Sequence, residues 1–117
     1  MKINGCFHIE SFESTDIKLP MELRGKENPA ICILYYPFEK HKIISFTFSS
    51  VGDIVNAVRD GFKEMYAASE KLPQCPFLIN QKYDGAYGQT FHALGDLWIE
   101  RIEYNNKTYE LRVFIGS

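Results

Sequence analysis

Hydrophobic residues follow two rhythms along this chain. Between 49 and 72 (SSVGDIVNAVRDGFKEMYAASEKL) they recur at helical spacing: Ile54, Val55, Val58, Phe62, Met65 and Tyr66 form one stripe. Asp53, Asn56, Arg59, Asp60, Lys63 and Glu64 fall mainly on the other side. The pattern predicts a helix over about 50–72. Ser49 or Ser50 caps its start through a hydroxyl that accepts a first-turn N–H. Asp53 complements the N-terminal dipole, Lys71 the C-terminal one, and Pro73 stops the run. Gly61 interrupts the helix at a cost of about 1 kcal/mol relative to Ala, which predicts a close approach to a neighbouring sheet.

Elsewhere the rhythm is that of strands. Residues 3–12 read as a first strand, with Cys6, His8 and Glu10 on one parity and Phe7 and Ile9 on the other. Residues 21–24 suit a short strand before the turn cluster GKENP. The run AICILYY at 30–36 is short and rich in β formers, as in a central strand covered on both faces. After a turn at 37–42, the strand 43–48 places Ile44, Phe46 and Phe48 on one face. The strongest β signal is C-terminal: 97–104 and 108–115 flank Asn105-Asn106-Lys107 as a hairpin. Leu97 and Ile99 are out of phase with Ile102 and Tyr104, so a β-bulge is expected near Glu100-Arg101. The resulting expectation is an α+β fold. It is a single domain over 1–117, with one main helix on a mostly antiparallel sheet, order β-β-β-α-β-β, ending in a hairpin.

Composition narrows the function. The 117 residues suffice for one core. The net charge is −2 and Lys and Arg are scattered, so no basic stripe exists to neutralise phosphates, and no nucleic-acid partner is expected. No apolar run approaches the roughly 18 residues of a membrane span, and no membrane partner is expected. His8, Glu10 and Glu13 interrupt any signal-peptide core. The three cysteines are an odd number, far apart, with no C-x-x-C. They read as reduced, mostly buried thiols of a cytoplasmic protein.

Chemistry-bearing motifs are few. Cys6 and His8 share a strand face but lack the paired spacings of a zinc site, so no metal or other cofactor is expected. No phosphate-binding glycine pattern is present, and no nucleophile–base set is assembled by local spacing. The segment NQKYDGAYGQ at 80–89 is the favoured location for function. Its glycines permit tight turns and close approach, and turn formation alone also accounts for them. Tyr83, Asp84, Tyr87, His92, Asp96 and Trp98 form the candidate binding surface. Tyr87 is expected at a loop tip between Gly85 and Gly88. Trp98, the one tryptophan of the chain, reads first as core filler; on the parity of Leu97 and Ile99 as core it would instead face outward beside Glu100, rimmed by Glu100 and Arg112. These features fit a non-catalytic protein-interaction module of a bacterial accessory or immunity-like type, acting through 83–98. The alternative is a small-molecule site or small enzyme with a pocket between helix and sheet lined by Cys75, Tyr87, His92 and Asp96.

Overall fold

The computed structural model describes residues 1–3, 5–13, 17–36, 39–70 and 94–116, and it places the predicted stripe on helix α1 (Val51–Glu70). Ile54, Val55, Val58 and Phe62 are fully buried, and Asn56, Asp60, Lys63 and Glu64 are exposed. Ser50 is the capping serine: its Oγ accepts the Asp53 N–H at 3.1 Å. Asp53 reaches back to the Ser49 N–H at 2.8 Å and to the Ser49 hydroxyl at 3.0 Å. This reciprocal arrangement satisfies donors that the helix cannot. The hydrogen bond from the Ser49 backbone is the main reason that the Asp53 carboxyl lies below its usual range. Lys71 and Pro73 lie outside the described residues.

Among the described residues, six strands make one sheet: β1 (Lys2–Ile3), β2 (Phe7–His8), β3 (Asn28–Tyr36), β4 (Glu39–Phe48), β5 (Trp98–Asn105) and β6 (Glu110–Gly116). The order is β1-β5-β6-β3-β4, and β2 also pairs with β5. Every pairing is antiparallel except that of β3 with β6. The α+β architecture with a C-terminal hairpin is therefore observed, and the hairpin β5–β6 lies between the N-terminal strands and β3. Ala30, Cys32, Leu34, Phe48, Ile99, Ile102, Tyr104, Leu111, Val113 and Ile115 pack with the α1 stripe in one core. Ile44 and Phe46 sit half-buried at its margin. A Cβ on Gly61 would overlap Ile44, which accounts for the mid-helix glycine by close packing.

Several local expectations change. The N-terminal strand is two short pieces, and residues 9–11 turn instead of extending. The parity is as expected: Phe7 and Ile9 are buried, Cys6 and Glu10 exposed. Residues 21–23 form a 3₁₀ turn and not a strand, closed by Leu23 N–H to Pro20 O at 2.9 Å and Arg24 N–H to Met21 O at 3.2 Å. Asn28 fixes this turn to the sheet. Its buried Nδ2 donates to Leu23 O at 2.9 Å and to Phe48 O at 3.1 Å. β4 begins earlier than expected, at Glu39. β3 is central, but only partly covered on its second face: Ile33 is buried whereas Ile31 is 44 % exposed.

The C-terminal hairpin loop runs over 106–109 and β6 starts at Glu110, because Tyr109 takes a left-handed conformation (φ 62) that ends the strand. Asn105 Oδ1 accepts the N–H groups of Lys107 and Thr108 at 2.9 and 3.2 Å, which stabilises the turn from within. The expected bulge is present. Ile99 pairs with Ile115 and Arg101 with Phe114, leaving Glu100 as the extra residue. Among the described residues, no helix is long and apolar enough to cross a membrane.

Candidate functional site

The bulge at Glu100 determines what the second sheet face displays. Ile99 and Ile102 both point to the core, so Glu100 and Arg101 stand together on the face away from α1. Gly116 makes this possible: a Cβ there would collide with the Glu100 carboxylate, which lies over the glycine. Trp98, directly opposite Gly116, is 42 % exposed.

His8 holds Trp98 from the other side. The two residues are direct partners across β2 and β5, with ring centroids 4.9 Å apart in an edge arrangement at 63°. The Ser11 N–H donates to His8 Nδ1 at 3.1 Å, so in the neutral ring the hydrogen is on Nε2. Nε2 then donates to the Gly95 carbonyl at 2.5 Å. Gly95 belongs to the 3₁₀ turn Leu94–Asp96 that leads into β5. His8 thus joins the N-terminal turn to the entry of β5. Arg59 anchors the same turn to α1, donating to Ile9 O at 2.8 Å and Phe12 O at 2.7 Å. It was expected on the solvated helix side, and it serves here as a backbone clamp.

Beyond Glu100 runs a cross-strand row. The Arg101 guanidinium lies 4.0 Å from the Phe114 ring centroid. Phe114 stacks on Tyr35 at 5.0 Å and 19°. Arg101 also approaches Glu103 at 3.5 Å. Arg112 was expected to rim Trp98, but it pairs with Glu110 instead. The face therefore carries an exposed indole beside a half-buried aromatic row with charged groups around it, the composition of a contact surface.

Of the sequence-predicted site residues, Trp98 is outward, which corrects the core-filler reading and follows the parity set by buried Leu97 and Ile99, and Asp96 is exposed at the 3₁₀ turn. Tyr83, Asp84, Tyr87 and His92 lie outside the described residues, as does Cys75 of the alternative pocket. His8, Arg101, Phe114 and Tyr35 were not singled out as site residues. The outward alternation of Glu110, Arg112 and Phe114 was legible, but cross-strand register is needed to set Arg101 and Tyr35 on either side of Phe114.

The described residues include His, Cys, Asp and Glu side chains. Among them, no group of three or more His, Cys, Asp or Glu is placed to hold a metal ion. The Cys32 thiol is pushed up to about 12 by burial, which disfavours a thiolate nucleophile. No family model matches the chain, and no curated protein or solved structure shows significant similarity to it.

Proposed function

We propose that this chain is a small, non-catalytic interaction module of the bacterial accessory or immunity-like kind. It works in the cytoplasm and binds another protein through the 83–98 region, with Trp98 as its anchor. The observation that carries this reading is the exposed indole of Trp98 on strand β5, held edge-on by His8. A tryptophan fixed in place loses little conformational freedom on binding, and such residues often dominate interface energies. The charged residues beside it, Glu100 and Arg101, suit a polar rim. The free thiols of Cys6 and Cys32 are compatible with a reducing compartment.

The test compares pull-downs from the source organism using wild type, Trp98→Ala and a distant control, Lys63→Ala. Trp98→Ala should leave the melting temperature nearly unchanged. It should lose a specific partner that the control retains, with affinity falling about 30-fold for a hot spot of about 2 kcal/mol. The same captured proteins in all three, at matched folded concentration, would overturn the reading.

A further inference from the structure

The two margins of the sheet are built differently. One consists of β1 and β2, two residues each and interrupted between Ile3 and Phe7. Short, broken strands blunt an edge against further pairing. The other is β4, ten residues long, and among the described residues no strand lies outside it. Its second half, 43–48, reads Ile-Ile-Ser-Phe-Thr-Phe. That segment has no charge, proline or glycine and consists mainly of strong β formers, a composition that pairs readily with another strand.

The pairing with β3 shows which backbone groups face outward. Pro29 stands opposite Thr47 and has no N–H, so these two cannot form a doubly hydrogen-bonded pair. Ile31 stands opposite Ser45 but donates its N–H away from it, to Tyr109 O at 2.8 Å. By alternation, the bonded pairs are Asn28–Phe48, Ala30–Phe46 and Cys32–Ile44. The N–H and C=O groups of Ser45 and Thr47 therefore point out of the sheet margin. Their side chains are exposed, and Ile44 and Phe46 on the helix side are only half-buried. A shallow, mainly apolar groove of about 610 Å³ adjoins this stretch, lined by residues 29–31, 45–47 and Tyr109.

We propose that β4 pairs antiparallel with β4 of a second copy of this chain, about a two-fold axis normal to the sheet, so that two sheets become one. Such an axis keeps both helices on one side, so facing residues share parity. Centred on Phe46, the register sets Ser45 of each copy opposite Thr47 of the other, and the outward backbone groups of each such pair exchange both bonds. On the helix side Phe46 meets Phe46, and Ile44 meets Phe48. This joins the half-buried margins of the two cores, and it sets Ser against Thr on the other side. The register also confines pairing to the uncharged half of β4. Sliding it by two residues toward the N-terminus would set Lys42 opposite Phe48 of the second copy. The lone Leu34 opposite His41 and Lys42 marks a bulge that ends the regular edge there.

Sedimentation velocity and light scattering over a wide range of protein concentration test the proposal. Wild type should move from the 13.5 kDa of one chain to twice that mass as concentration rises. Thr47→Pro removes an outward N–H that β3 does not use, and should remain a single chain. Ser45→Lys combined with Thr47→Lys sets like charges face to face, and should also remain a single chain with the far-UV circular dichroism of wild type. If the proline variant fails to fold, the double lysine variant decides. Trp98→Ala should dimerise as wild type does, which separates this surface from the proposed partner site. A wild type of single-chain mass at every concentration would overturn self-pairing and point to a strand from another protein at this edge. A folded double lysine variant that still doubles its mass would overturn it as well.

Discussion

Gly61 of α1 packs directly against Ile44 of β4, so closely that a Cβ on the glycine would overlap the terminal methyl of the isoleucine. Replacing a mid-helix glycine with alanine ordinarily gains about 1 kcal/mol. Here Ile44 must move to admit the new methyl, so Gly61→Ala should be close to neutral. Ile44→Val removes the overlapping methyl and should restore the gain. A double-mutant cycle in denaturant melts should give a favourable coupling of about 0.5 kcal/mol or more, and additive single effects would show that this contact does not constrain the helix.

Phe62 is fully buried on the sheet-facing side of α1. Phe62→Ala should cost about 3–5 kcal/mol. Urea or guanidinium melts measure this directly, and a loss under about 1 kcal/mol would contradict a packed core at this position.

Asn28 is a buried polar side chain, and its amide donates to two carbonyls from different elements, Leu23 and Phe48. Asn28→Leu would leave both acceptors without that donor and should cost about 2 kcal/mol or more. Asn28→Asp should not rescue stability, since a carboxylate cannot donate. Equal stability of Asn28→Asp and wild type at neutral pH would sink this account.

The thiols should differ sharply in reactivity. Cys6 is exposed and Cys32 fully buried. Alkylation of the native protein should modify Cys6 quickly and Cys32 only on unfolding, as followed by peptide mass. Burial raises the Cys32 thiol from its ordinary 9.0 to about 12. The folded state thus favours the protonated thiol. Its contribution to stability is complete below 9.0 and is lost as pH rises toward 12. Wild type should therefore lose stability more steeply than Cys32→Ala across that window. Parallel curves would show that Cys32 does not carry the dependence.

The helix and its buried face follow from the sequence alone, because the spacing of Val58 and Phe62 and the cap at Ser50 and Asp53 are local properties of one segment. The strand parities of 43–48 and 110–115 are legible for the same reason, and the phase break at Leu97–Ile102 even discloses the bulge at Glu100. Sequence spacing does not decide which strands become neighbours. The parallel meeting of β3 with β6 depends on contacts between residues some 80 positions apart, formed when a common core is buried. The surface around Trp98 has the same origin. His8, Trp98 and Gly116 meet only because β2 and β6 flank β5. The outward backbone of Ser45 and Thr47 likewise follows from Pro29 and Ile31 across the strand. A side chain's parity is set by its own strand, but its cross-strand companions are set by sheet order, and that is chosen by the energy of the whole core.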